Sequence, residues 1–135
     1  MARVRFQVPQ RFADLDLLGH VNNVAYLVYV QEIRLKLLSR LLGDRLFRMN
    51  HVVVRNEIDY LRELSLGSEP LEVDAWIERI GTSSYTIACE VLDPAGEVAA
   101  RAKTVLVRLG DDGSAGPLSA EERDLLSAAR EESGA

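Results

Sequence analysis

Apolar and polar residues alternate at the start of the chain: Val4, Phe6 and Val8 are separated by Arg5 and Gln7, and Pro9 follows. A period of two predicts a half-buried strand that ends at the proline. From Val24 the interval lengthens. Tyr26, Val30, Ile33, Leu37 and Leu41 follow one another by three or four residues, and Leu27, Leu35, Leu38 and Leu42 widen the stripe. This spacing predicts a helix of about 30 Å, at ~1.5 Å per residue, with one broad apolar face. Asn22 or Asn23 can cap its N-terminus, and Gly43 suits a left-handed C-terminal position. Between strand and helix, Arg11 to Asn23 follows neither period and is expected to be a shaped loop.

Beyond the helix the period returns to two. His51 to Leu61 is rich in Val and Ile. Leu71, Val73, Ala75 and Ile77 alternate with Glu72, Asp74, Trp76 and Glu78, and Tyr85, Ile87, Cys89 and Val91 alternate with Thr86, Ala88 and Glu90. These are three strands. Asp93-Pro94-Ala95-Gly96 marks a turn into a last strand, Glu97 to Leu109, so a hairpin joins the last two. Gly110 to Gly116 reads as a flexible connector. Ser119 with Glu122 makes a capping-box pattern for a short C-terminal helix and tail over residues 119–135, frayed beyond Arg130. The expected class is α+β: a long helix against one face of five mostly antiparallel strands, in a single domain spanning 1–135, with sheet edges left exposed. Trp76, on the alternating outer face, is expected either as a subunit contact or as a lone exposed ring. Glu32 and Lys36, four apart on the helix, are expected to pair.

The 135 residues, 47% of them hydrophobic, suffice for one core. With 21 acidic against 16 basic residues the net charge is -5, which disfavours nucleic acid as a partner. A small anionic ligand needs only a few local donors and is not excluded. One cysteine, Cys89, cannot form an internal disulfide, and the first residues contain no signal-like apolar run, so a soluble protein of the reducing cytoplasm is expected. The hydrophobic stretch Val24 to Leu42 carries Glu32, Arg34, Lys36 and Arg40. Charges there indicate a core helix rather than a membrane span, and no membrane partner is expected.

The candidate chemistry lies in Arg11-Phe12-Ala13-Asp14-Leu15-Asp16-Leu17-Leu18-Gly19-His20-Val21-Asn22-Asn23, directly ahead of the helix. A loop running into a helix start presents unpaired backbone N–H groups and the positive end of the helix dipole, where an oxyanion would be stabilised. A carboxylate beside it can attack an acyl carbon or deprotonate a water, and Asp16 is placed for either role. Asp14 reads as a residue that fixes the loop by hydrogen bonding. His20 can hydrogen-bond a substrate, orient a water or serve as a satisfied loop histidine. With two histidines in the chain and no ligand spacing, no metal site is expected.

The run from Asp14 to Asn23, followed by Tyr26 and the long helix, resembles the signature of the 4-hydroxybenzoyl-CoA thioesterase-like family. Arg79-Ile80-Gly81-Thr82-Ser83-Ser84-Tyr85 resembles that family's later turn, and the two motifs stand in the expected order. The resemblance implies the hot-dog fold, a long central helix wrapped by a curved five-stranded sheet. It also implies an acyl-CoA thioesterase with Asp16 as the catalytic carboxylate and the backbone N–H near Asn23 polarising the thioester carbonyl; His20, in the same loop, is a candidate site residue on its own chemistry. Coenzyme A would be held near Thr82, Ser83 and Ser84, in a homodimer or homotetramer with sites at subunit interfaces. No cofactor is implied. Small hydroxyl residues also suit a turn for structural reasons alone, and Arg101 and Lys103 read as a solvated face. Two other classes share the fold: a non-catalytic acyl-CoA-binding module, which needs no reactive carboxylate, and a hydratase or dehydratase, which needs an acid and a base flanking the acyl Cα and Cβ.

Overall fold

Every alternating stretch is a strand in the computed structural model, which describes residues 3–65, 67 and 70–130. The strands are β1 (Val4–Val8), β2 (His51–Tyr60), β3 (Leu71–Ile80), β4 (Ser84–Leu92) and β5 (Val98–Arg108). Helix α1 (Asn23–Leu42) stands between β1 and β2, and α2 (Ala120–Ser127) follows β5. The order across the sheet is β1-β3-β4-β5-β2, antiparallel at every step. The long helix and open curved sheet are the expected hot-dog arrangement. No described helix is long and apolar enough to cross a membrane.

Asn22 is the cap of α1: its Oδ1 accepts from the Val24 N–H at 2.9 Å, and Gly43 closes the far end with a positive φ of 56°. The buried face runs through Ala25, Tyr26, Tyr29, Val30, Ile33, Leu37, Leu38 and Leu42 and lies against β1 and β3. Leu27 and Leu35, expected on this stripe, are exposed. Glu32 and Lys36 do not pair as expected. The Lys36 Nζ donates to the Gln7 carbonyl at 3.0 Å, and Glu32 meets Arg11 at 3.2 Å. Both neighbours come from the segment packed across the helix, and they out-compete the local i,i+4 partner.

Trp76 is not a lone exposed ring. It is only 8% exposed because the Arg3 guanidinium lies 3.8 Å from its ring centre and covers it. Cys89 is buried on the core face, where burial pushes its thiol up to about 12 and keeps it a packing residue. The stretch expected as a flexible connector is closed on itself. Gly110 N–H donates to the Ser114 carbonyl at 2.7 Å, and Gly116 N–H to the Arg108 carbonyl at 2.9 Å. Ser119 and Glu122 form the capping box of α2, and the chain after it docks on β3 through the Ile77 N–H and the Ala129 carbonyl at 2.8 Å. The fraying expected beyond Arg130 falls outside the described residues.

β2 stands apart. It is ten residues long, lies at the sheet edge, and has no fully buried residue. Val52, Val53, Val54 and Tyr60 on this strand are exposed, as are Val24, Leu27 and Val28 on the flank of α1.

Candidate active site

The loop ahead of α1 is a small hairpin. Asp16 N–H donates to the His20 carbonyl at 2.8 Å, Asn22 N–H donates to the Asp14 carbonyl at 2.6 Å, and Leu15 bridges Val21. Gly19, at φ 80°, turns the tip in a conformation a side chain would strain, and its N–H reaches the Asp16 carbonyl at 3.2 Å. The hairpin is stitched to the segment after β2 by the Val21 N–H and the Leu64 carbonyl at 2.7 Å.

Within this frame the Asp16 side chain folds over its own turn. Its Oδ1 accepts from the Leu18 N–H at 2.8 Å and from the His20 N–H at 3.2 Å. No protein donor among the described residues reaches Oδ2. Asp16 is exposed, and Leu17, Leu18 and Phe12 around it are exposed apolar residues. One oxygen thus fixes the carboxylate, and the other is left to solvent.

Asn23 is the first helical residue, so its N–H has no partner within the helix, and the Asn22 side chain has gone to Val24 instead. The Asn23 carbonyl accepts from the Tyr60 hydroxyl at 3.0 Å, which ties the helix start to the end of β2. Tyr60 also stands edge-on to Tyr26 at 5.2 Å. The His20 Nε2 lies 3.3 Å from a Glu63 carboxylate oxygen, a neighbour that the sequence pattern did not suggest. Asp16, His20 and Asn23 therefore share one loop and helix start.

Asp14 is the less exposed of the two aspartates. Its Oδ2 accepts from the Tyr29 hydroxyl at 2.7 Å, the Arg11 N–H at 3.2 Å and the Arg11 Nε at 3.3 Å. Sequence reasoning missed Tyr29. A second tyrosine one turn beyond Tyr26 in the buried stripe was the available signal, since a buried phenol needs a partner.

Thr82, Ser83 and Ser84 lie elsewhere in the chain. Ser83 accepts through its carbonyl from the Arg108 N–H at 2.8 Å, and Arg108 is the β5 residue paired with His51 at the start of β2. Asn23 lies at the other end of β2, beside Tyr60. At ~3.3 Å per residue the two ends are roughly 30 Å apart. One chain does not bring the turn and the Asp16 loop together. The turn is tightly closed: Gly81 N–H donates to the Ser84 carbonyl at 2.7 Å, and Leu118 N–H to the Thr82 carbonyl at 2.9 Å. Among the described residues, no group of three or more His, Cys, Asp or Glu side chains is gathered as a metal ion would require.

The sequence matches the model of the thioesterase-like superfamily over residues 10–121. The chain is similar to a thioesterase from Thermus thermophilus whose crystal structure holds coenzyme A and Zn. That pair shares 37% identity over 93% of this chain and 92% of the other, with a TM-score of 0.82. A predicted thioesterase from Bacillus stearothermophilus shares 29% identity over 98% of this chain and 100% of its own, with a TM-score of 0.87. An uncharacterised protein of Bacillus subtilis (strain 168), YsmA, is 28% identical over 123 residues, covering 89% of this chain and 82% of its own. A motif-bearing loop ahead of a buried helix, a sheet wrapped on that helix, and a family match over most of the length have one reading: this chain belongs to the thioesterase-like superfamily.

Proposed function

We propose that the protein hydrolyses an acyl-CoA thioester to the free acid and coenzyme A, with Asp16 as nucleophile or general base and the Asn23 N–H polarising the thioester carbonyl. The observation that carries this reading is the Asp16 carboxylate, pinned through Oδ1 and open at Oδ2, in the loop that leads into a helix start with an unpaired N–H. Attack by Oδ2 on the acyl carbon would expel the coenzyme A thiolate and leave a mixed anhydride, which water then opens. The alternative step has Oδ2 taking a proton from a water that attacks directly. His20, held near Glu63, would orient that water or the substrate.

The same reading calls for a second copy of the chain. β2 is an edge strand that exposes Val52, Val53, Val54 and Tyr60, and Val24, Leu27 and Val28 are exposed on the flank of α1. A symmetric antiparallel pairing of two β2 strands would set the His51 end of one subunit beside the Tyr60 end of the other. Thr82, Ser83 and Ser84 of one copy would then approach Asn23 of its mate and could hold part of the coenzyme A. We therefore place the working site at a subunit interface of a homodimer, or of a tetramer built from it. The likeness to a coenzyme A-bound thioesterase supports this choice of substrate.

Thiol release from acetyl-, hexanoyl-, palmitoyl- and benzoyl-CoA, by the protein and by Asp16→Asn, tests the chemistry. Turnover of at least one substrate that disappears in the variant supports it. A protein that binds these thioesters yet releases no thiol would instead be a binding module on the same fold. Sedimentation of Val54→Lys tests the pairing: a monomeric variant that has lost turnover is expected, and a parent that is itself an active monomer refutes it.

A further inference from the structure

The carboxylate of Asp16 is only useful if the hairpin that carries it keeps its place over the helix start, and two rungs hold that hairpin to the body of α1. One is the Tyr29 hydroxyl, which donates to the Asp14 Oδ2 at 2.7 Å. The other is the Arg11 Nη1, 3.2 Å from the Glu32 Oε1, one turn further along the same helix. The rungs are joined to each other, because the Arg11 Nε and N–H both reach that same Asp14 oxygen. Asp14 then passes the constraint on through its carbonyl, which takes the Asn22 N–H at 2.6 Å.

We propose that Tyr29 is a positioning residue for hydrolysis, acting through Asp14 to hold the Asp16 hairpin in register with the N-terminus of α1; this rests on Asp16 being the reacting carboxylate. The Tyr29 ring is fully buried and a phenylalanine would fill the same space. What tyrosine adds is a donor aimed out of the core at one carboxylate oxygen. Burial and the neighbouring Asp14 both push its hydroxyl pKa up, so it remains protonated and donating at any working pH. Asp14 is two residues from Asp16 and its side chain is 11% exposed, so fixing it fixes the branch point of the hairpin. A reacting group displaced by about 1 Å can lose roughly 100-fold in rate. Rigid support from the helix is therefore worth a measurable part of kcat.

The test combines steady-state thiol release, on the fastest of the four acyl-CoAs above, with amide hydrogen exchange across residues 12–22. Tyr29→Phe is expected to lower kcat about tenfold with KM changed less than twofold. Exchange at Leu18 and His20 is expected to rise while exchange in β4 stays at the parent rate. Asp14→Asn should do the same, and the double variant should be no slower than the slower single one. If Tyr29→Phe keeps kcat within twofold, the proposal is overturned, whether or not exchange has risen. Faster exchange throughout the chain, with full kcat per folded molecule, would likewise leave Tyr29 as an ordinary core residue. Turnover surviving in Asp16→Asn would sink the carboxylate reading itself. Asp16→Asn inactive beside a fully active Tyr29→Phe would sink only the positioning role.

Discussion

The two ends of the α1–sheet sandwich handle polar groups in opposite ways. At the helix start, Asp16 is exposed, uses one oxygen on its own turn, and stands among exposed apolar residues. At the other end, polar groups are drawn inward and matched. The Tyr85 hydroxyl, fully buried, is hydrogen-bonded to the His51 Nδ1, and burial, then the Arg34 charge from α1, lower the His51 pKa. Glu122 is 2% exposed, yet its Oε1 takes both the Arg108 Nε at 2.9 Å and the Ser119 N–H at 2.8 Å. No buried side-chain nitrogen or oxygen among the described residues lacks a partner. The difference follows from what each end must do. A buried polar group that is unpaired costs about 1–3 kcal/mol, so a closed end must satisfy all of its lone pairs. A carboxylate oxygen left without a protein partner, as at Asp16, is tolerable only where water can reach it.

The sharpest way to break this comparison is to cross the two ends. Asp16→Asn keeps an oxygen to accept from Leu18 and His20, so the turn should survive and the melting midpoint should move by less than about 2 °C. Thiol release should nevertheless fall by about 1000-fold, since the lost group is the proposed base or nucleophile. Glu122→Ala should do the reverse. It strands the Arg108 guanidinium and the Ser119 N–H, and should cost about 3 kcal/mol in a denaturant titration with kcat per folded molecule unchanged. A large activity loss in the second variant would mean that the ends are not separable.

A smaller effect should appear with pH. Burial, and then the Arg34 charge, lower the His51 pKa, with Glu122 opposing them. Tyr85, whose own pKa burial raises, stays protonated and hydrogen-bonded to the ring. The unfolded chain therefore takes up its proton first. Stability from this site is complete above 6.5, the ordinary value, and is lost as pH falls below it toward the folded pKa. Unfolding midpoints measured from pH 7.5 to 5 should fall more steeply for the parent than for His51→Gln. Asp74, lowered chiefly by its hydrogen bond to Arg5, acts only below its ordinary 3.8 and leaves this window clear. Parallel slopes would show that His51 titrates freely.

The smallest expected change is Gly81→Ala. A Cβ there would meet the Ser84 Oγ at 2.8 Å, but a hydroxyl can rotate away, and Gly81 is not among the positive-φ glycines. The cost should stay under about 1 kcal/mol by thermal melting. A larger loss would show that the Ser84 hydroxyl is held in place.

The sequence by itself determined the element types, their order and the reach of α1, because periods of two and of three to four record which residues must face a core. It also marked a cap at Asn22 or Asn23, Gly43, the Asp93–Gly96 turn and the Ser119–Glu122 box, whose hydrogen bonds are local and need nothing from afar. That Asp16, His20 and Asn23 share one loop and helix start follows from their being one continuous stretch. The tertiary structure alone decided the rest. Strand order, the Arg3 cover on Trp76, the choice of Arg11 over Lys36 as partner of Glu32, and the closing of Gly110–Gly116 all depend on which distant groups arrive nearby. Tyr29 reaches Asp14 only because the loop folds back over the helix. Thr82 to Ser84 lie about 30 Å from Asn23 because the sheet keeps its two ends apart, and no one-dimensional pattern records a distance across a sheet.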